Sequence, residues 1–399
     1  MIDRYDLKLL RTTTQAEGEW IGDSLLLNDT LLLALDSVAT PVERASLEQV
    51  EPNTPGNLPH LVAALQHTDQ RVVRIMHYGD SQIEEDRITS MLRRKLQATY
   101  GGRGLGLIPL HQTIPTLSLK QQLYMNGRLQ TVQQGPKRYL VYGLRSWRLP
   151  EDNHRYGPMA QVAIMNDSLV PGSESLMLTL QPLAGSSVHQ QVRLWADTSI
   201  HMDVIHAATD TVYLSGKGYV YGLSLESSTG VIVDNVPMRG CLGTVFTSID
   251  ETQLATFYRE SHTRLIILQY GGNAIPMNKK ESTIRGICYS LRDQVRYLRS
   301  LAPDADILFI GPSDMIEIDE NGEAHTNPLV PVMDNTLRAL MTQENVPYFS
   351  LYAAMGGENS MIHWQEIGWA GSDGVHFTRS GADKAANLLW EWLEKMLDD

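Results

Sequence analysis

The chain has 399 residues, 42% of them hydrophobic and 20% charged, which is enough apolar content for a large buried core and excludes a disordered polymer. Its formal charge of −13, with no block of Lys or Arg, argues against nucleic acid as a partner. Two cysteines, Cys241 and Cys288, are too few for a disulfide framework and lack zinc spacing, so they read best as buried thiols.

The first 70 residues read as a mixed lead-in with one helix near 60–68, packed on the core. Their most apolar segment, "SLLLNDTLLLAL" (24–35), is broken by Asn28 and Asp29 and is too short to cross a bilayer. It also lacks the basic start of a signal peptide, so the chain is either cytoplasmic or begins after a removed leader.

Residues 71–77 ("RVVRIMH") read as a buried strand, followed by Gly79-Asp80-Ser81. A helix is expected over 84–99 from the spacing of Ile88, Met91, Leu92 and Leu96, with Glu84, Glu85 and Asp86 in its first turn, where the helix dipole favours anions. "GGRGLG" (101–106) looks like a dinucleotide loop, but no helix opens after it, and it reads as the exit from the helix before it.

From 105 to 230 the texture changes to short alternating runs, such as 175–183, 190–197 and 211–227, separated by Gly, Pro, Asn and Ser. That pattern predicts a β-sandwich or barrel-like unit. After 230 an α/β rhythm resumes, with strands at 230–236, 263–270, 306–311 and 347–352 and helices at 281–303, 331–343 and 379–397. The whole implies a doubly wound parallel sheet, formed by 71–104 and 231–399, with 105–230 as an inserted β-rich domain. "IDENGEAH" (318–325) most simply makes a tight turn around Asn-Gly.

Open parallel sheets bind ligands beyond the carboxyl ends of their strands. Small or polar groups follow each predicted strand here: Gly79-Asp80-Ser81, then "PMRGCLG" with Gly240 and Gly243, Gly271-Gly272-Asn273, "PSDM", and "GSDGVHF" with Asp373 and His376. Ser81 is a candidate nucleophile and His376 a candidate base. Each also has a bland reading: Gly-Asp-Ser is an ordinary βα turn, and Asp373 merely begins another. Asp80 shares a loop with Ser81 and reads as a brace for the turn, and His77 just before it is a further histidine of interest.

Taken in order, "GDSQ", "RGCLG", "GGN" and "DGVH" resemble the serine, glycine, asparagine and Asp-x-x-His blocks of the SGNH hydrolases, also called the GDSL esterase family. The match spans 79 to 376, with GDSQ in place of GDSL. The resemblance implies a flavodoxin-like α/β fold and a Ser81–His376–Asp373 triad. It assigns the oxyanion donors to the N–H groups of Ser81 and Gly243, with Gly240 as a close alternative, and to the Asn273 side chain. It calls for no cofactor and no metal.

The long insertion between the serine and glycine blocks resembles bacterial peptidoglycan O-acetylesterases, which carry a jelly-roll, carbohydrate-binding-like module there. The wording "HYGDSQIEEDRIT" is similar to envelope-associated SGNH proteins of Bacteroidetes. The implied reaction is removal of O-acetyl or another short acyl group from a carbohydrate, in the periplasm or cell envelope. The open alternatives are a lipase or thioesterase on longer chains, and a non-catalytic carbohydrate-binding protein. Trp364 and Trp369 could stack on a sugar near the site or pack under the loop; Tyr139, Tyr142, Trp147, His154, Tyr156 and Trp195 raise the same choice in the insert.

Overall fold

The computed structural model describes residues 57–110 and 222–398, together with short stretches between them, chiefly strands, and the antiparallel pair β1 (Gly18–Ile21) and β2 (Ser24–Leu27). Helix α1 (Pro59–Leu65) opens with proline, whose missing N–H costs nothing in a first turn, and buries Leu61 and Leu65 against the core. Strand β3 (Val72–Gly79) follows, then a short 3-10 segment, Ser81–Asp86, and helix α2 (Thr89–Tyr100).

The chain then runs through β4 (Gly106–Ile108), β5 (Leu119–Tyr124), β6 (Arg128–Thr131), β7 (Arg145–Arg148), β8 (Leu176–Pro182) and β9 (Gln191–Ala196). The same region ends with β10 (His201–Ile205), β11 (Asp210–Ser215) and β12 (Tyr219–Glu226). It returns with β13 (Gly230–Pro237), α3 (Glu251–Glu260), β14 (Thr263–Gln269), α4 (Glu281–Leu301) and β15 (Asp306–Ile310). The small hairpin β16 (Ile316–Ile318) and β17 (Ala324–Thr326) precedes α5 (Leu329–Gln343), β18 (Tyr348–Phe349), α6 (Leu351–Met355), α7 (Ser360–Glu366) and α8 (Arg379–Asp398).

The central sheet is parallel throughout, in the order β13–β3–β14–β15–β18. Numbered by appearance, that order is the flavodoxin-like 2-1-3-4-5. The alternation of its side chains explains why the strands read as near-continuous apolar runs. Val73, Ile75, Leu265, Ile267, Leu308 and Ile310 point into one core with residues of α1, α2 and α8. Met76, Tyr78, Ile266, Leu268, Ile307 and Phe309 point into the other with residues of α3, α4 and α5. A sheet covered on both faces needs apolar residues at every position.

The helix expected over 84–99 begins later, at Thr89. Glu84 is extended, and Glu85 and Asp86 have φ of 60° and 62°, so the three acids form no helical first turn. They are used singly: Glu84 pairs with Arg239, Asp86 with Arg93, and Glu85 faces solvent. Glycine at 102 and 104 is dictated by backbone contact, since a Cβ would lie 2.5 Å from the Val231 amide nitrogen and 2.1 Å from the Leu225 carbonyl oxygen. "GGRGLG" is thus the loop that leaves α2 and slides along β12 and β13.

Between α2 and β13 lie two antiparallel sheets, ordered β10–β11–β8–β5 and β4–β12–β7–β6, with β9 also paired to β12. Val212 and Leu214 of one, and Leu107, Leu223 and Leu225 of the other, belong to the same buried cluster. A fully buried Arg74 on β3 joins this region to the parallel sheet. It donates to both carboxylate oxygens of Asp234 at 2.7 and 2.8 Å, to Glu226, and to the Ser224 hydroxyl at 3.2 Å.

Candidate active site

Three neighbouring strands, β13, β3 and β14, end side by side, and their following loops carry Gly243, Ser81 and Asn273. The loop after β13 is tied to the end of β3 by the Met238 amide, which donates to the Gly79 carbonyl at 2.8 Å. Ser81 sits at the start of its 3-10 turn, capped by Asp80, whose Oδ1 accepts from the Gln82 amide at 2.9 Å.

His376 comes from the far end of the sequence. Its Nε2 lies 2.8 Å from Ser81 Oγ, 295 positions away in the chain. Its Nδ1 lies 2.7 Å from Asp373 Oδ2. With the imidazole proton on Nδ1, that N–H donates to Asp373 and Nε2 is left to accept the Ser81 hydroxyl. Asp373 Oδ1 accepts from the backbone amides of Val375 and His376, both at 3.0 Å, which fixes the turn. Burial pushes the Asp373 carboxyl up, but hydrogen bonds from the His376 ring and from these two amides outweigh it and hold the carboxyl below its ordinary range. Ser81, His376 and Asp373 therefore form a continuous relay in which a base can take the serine proton and a carboxylate can steady the imidazolium.

Two of the expected oxyanion donors, Asn273 and the Gly243 N–H, lie at the same edge and are already hydrogen-bonded. Asn273 donates to Asp80 Oδ2 at 3.1 Å and to the Cys241 carbonyl at 3.2 Å. The Gly243 N–H donates to Cys241 Sγ at 3.3 Å, a weak acceptor that an oxyanion would displace. Gly243 has φ of +84°, and a Cβ there would lie 2.6 Å from the Tyr270 ring, so both conformation and space demand glycine. Asp80 is a brace, as its position suggests: it joins the serine turn to Asn273. Burial, opposed by the Gln82 amide and by His376, raises its carboxyl to about 6.

His77 does not join the site. It is fully buried, with Nε2 at 3.1 Å from Gln269 and Nδ1 at 2.9 Å from Thr89, and burial lowers its pKa to about 4, so it is a neutral structural residue. Trp364 is 3% exposed, donates its indole N–H to the Met355 carbonyl and packs on Phe377, so it lies beneath the loop and has no face for a sugar. Trp369 stands edge-on to Trp364 and is only half-buried. Trp195 packs edge-on against Phe257 of α3 at 4.8 Å, a contact between the two regions of the chain. Tyr139, Tyr142, His154 and Tyr156 lie outside the described residues, and of Trp147 only the backbone is described. Cys241 and Cys288 are both buried free thiols, and burial pushes the Cys241 thiol up to about 12.

Several residues at this edge carry no local motif. The Arg239 guanidinium is bidentate on buried Glu84, at 2.6 to 3.1 Å, and pins the glycine loop to the serine element. Gln82 and Arg87 reach from the serine element to the His376 loop. Their signal in sequence is the polarity of "QIEED" in a stretch that the fold nearly buries.

The fold is similar to that of known structures. A peptidoglycan O-acetylesterase structure superposes with a TM-score of 0.67 at 21% identity, covering 87% of this chain and 99% of that one. The chain shares the fold of that structure. Two further matches cover less of the chain: a GDSL-like lipase from Parabacteroides merdae (16% identity, TM-score 0.30, 40% of this chain and 72% of that one) and a carbohydrate acetylesterase from Sinorhizobium meliloti (13%, 0.29, 42% and 79%). No family model and no curated protein matches the chain. Among the described residues no cluster of His, Cys, Asp or Glu could hold a metal, and no helix is long and apolar enough to cross a membrane.

Proposed function

We propose that the protein is a serine esterase that removes acetyl or another short acyl group from a carbohydrate, with a cell-envelope glycan as the natural substrate class. The observation that carries this reading is the unbroken relay from Ser81 Oγ through His376 to Asp373, at 2.8 and 2.7 Å. Ser81 attacks the ester carbonyl as His376 Nε2 takes its proton. The proton then passes to the departing sugar oxygen, and water, activated by the same base, releases the acyl group. The Ser81, Gly243 and Asn273 donors face the developing oxyanion; Asn273 does so by turning one amide hydrogen away from Asp80 or the Cys241 carbonyl. Catalytic hydrogen bonds of this kind commonly tighten only in the substrate complex.

The substrate class rests on the kinship of form with the peptidoglycan O-acetylesterase, and an envelope location rests on the same footing. The aligned span, 87% of this chain, exceeds what the parallel-sheet region alone supplies, so it takes in part of the antiparallel strands. We read residues 105–230 as an inserted β-sandwich of jelly-roll type, its two sheets packed face to face. Trp369, half-buried beside the Asp373 loop, is the tryptophan that could meet a sugar ring.

The test is turnover of p-nitrophenyl acetate and acetate release from O-acetylated glycans, with Ser81→Ala as control. Loss of both in the variant supports the reading, and unchanged turnover refutes it. Comparing acetyl with octanoyl esters separates it from a lipase or thioesterase. Absence of any hydrolysis by the wild-type protein would favour a carbohydrate-binding role.

A further inference from the structure

The two peptide carbonyls that flank His376 are both held by side chains of the serine element. Gln82 Nε2 donates to the Val375 carbonyl at 2.7 Å, and Arg87 Nη1 donates to the Phe377 carbonyl at 2.8 Å. The same guanidinium donates through Nη2 to the Ser81 carbonyl at 2.9 Å and through Nε to the Glu84 carbonyl at 3.1 Å. The carbonyl between them, that of His376 itself, turns the other way and accepts from the Gly371 amide at 2.7 Å. A bridge between Ala370 and Phe377 continues that second edge. The segment 375–377 is therefore gripped on both edges, and on one of them the grip comes from the residues that carry the nucleophile.

We propose that Gln82 and Arg87 are positioning residues for the reaction, side chains of the serine element that clasp the backbone on either side of His376 and fix its imidazole against Ser81. The inference rests on the esterase reading above. His376 needs such a clasp, because its side chain is 40% exposed and that of Asp373 is 52% exposed, so packing alone does not hold the pair. The clasp is also economical in chain length: Arg87 spans from the carbonyl of the nucleophile to the carbonyl next to the base through one planar group. A guanidinium suits this task, since its donors lie in a rigid fork and it stays charged.

Gln82 stands where the GDSL pattern has leucine. Its Nε2 also reaches Ser313 Oγ at 3.3 Å, while its Oε1 is buried with no hydrogen-bond partner among the described residues. A buried unpaired acceptor is a cost to the fold. Leucine would remove that cost together with the clasp, so Gln82→Leu separates positioning from stability.

The experiment measures steady-state hydrolysis of p-nitrophenyl acetate, the rate of Ser81 labelling by an alkyl fluorophosphonate, and the thermal midpoint. It compares the wild-type chain with Gln82→Leu, Arg87→Met, Arg87→Lys and Ser81→Ala. Displacing a catalytic group by about 1 Å can cost about 10²-fold in rate. Gln82→Leu and Arg87→Met are therefore expected to lower kcat by roughly ten- to a hundredfold with KM within about twofold, and to slow labelling in parallel. Arg87→Lys, which keeps a charged donor, recovers part of the loss. Gln82→Leu leaves the thermal midpoint close to wild type. If Arg87→Met does not fold, Gln82→Leu and Arg87→Lys decide. Folded variants with wild-type kcat and labelling rate would overturn the proposal, even if their midpoints drop, because the ties would then serve the fold alone. Ser81→Ala distinguishes the failures: an active Ser81→Ala refutes the esterase reading itself, as does a wild type that neither turns over the ester nor takes label at Ser81. An inactive Ser81→Ala beside unimpaired Gln82→Leu and Arg87→Lys refutes only the clasp.

Discussion

Asn273 donates to the Asp80 carboxylate at 3.1 Å, linking the turns that follow two adjacent strands. The other carboxylate oxygen accepts from the Gln82 amide, so Asp80 holds an amide side chain and the serine turn at once. Burial raises its carboxyl from an ordinary 3.8 to about 6. A folded-state value above the unfolded one means that folding favours the protonated form. The stability Asp80 contributes is therefore fully present below about pH 4 and lost as the pH rises through about 6. Asp80→Asn should abolish this dependence: the difference in urea midpoint between variant and wild type should shift in the variant's favour from pH 4.5 to pH 8. Activity should fall about tenfold or more at pH 8, because Asn273 loses its charged acceptor and its orientation. A constant midpoint difference across that range would show that Asp80 does not titrate there.

His376 and Asp373 form one unit with Ser81, so their losses should not add. His376→Ala should lower kcat on p-nitrophenyl acetate by about 10⁴- to 10⁶-fold, and Asp373→Asn by about 10²- to 10⁴-fold. The Ser81→Ala/His376→Ala double variant should be little worse than Ser81→Ala. Additive losses in those kinetics would mean that the two residues act in separate steps.

Arg74 is the buried cation between the acids of two regions, Asp234 on β13 and Glu226 on β12. Arg74→Met leaves both carboxylates buried beside an apolar side chain. Breaking one side of a buried ion pair typically costs about 3–5 kcal/mol. Chemical denaturation should show a loss of that order. The combination Arg74→Met/Asp234→Asn should recover part of it, since one uncompensated charge is removed with its partner.

What was legible in the sequence follows the range of the interactions. Strands covered on both faces announce themselves as apolar runs, so "TRLIILQ" and "DILFI" could be placed to within a residue or two, and α4, expected over 281–303, spans Glu281–Leu301 just short of Pro303. Ser81 and the Asp373–His376 pair stood out as candidates because each is a local motif at a strand or loop end. The late start of α2 was not legible, because Glu84 and Asp86 leave helical geometry for ion pairs with Arg239 and Arg93, and the first of these partners is 155 positions away. The ties from Gln82 and Arg87 span 293 and 290 positions, so the polarity of their stretch signals that such side chains are engaged but not where they reach. The two tryptophans of "HWQEIGWAG" look alike in sequence, and only the packing separates them.

That separation gives a paired prediction. Trp364 is enclosed by Trp369 and Phe377, and its N–H is already spent on the Met355 carbonyl. Removing so large a buried ring usually costs about 3–5 kcal/mol, through lost burial and the cavity left behind. Trp364→Ala should therefore lower the unfolding free energy by about that much in urea titrations. Trp369 keeps part of its surface open, on the short segment that leads to Asp373 and within 6.0 Å of the Lys384 ammonium. A half-buried indole can stack on a pyranose with the part of its surface that stays open. Trp369→Ala should destabilise less than Trp364→Ala and raise KM for an O-acetylated glycan severalfold. Equal losses of stability with an unchanged KM would make both rings packing residues and leave sugar recognition to other surfaces of the site.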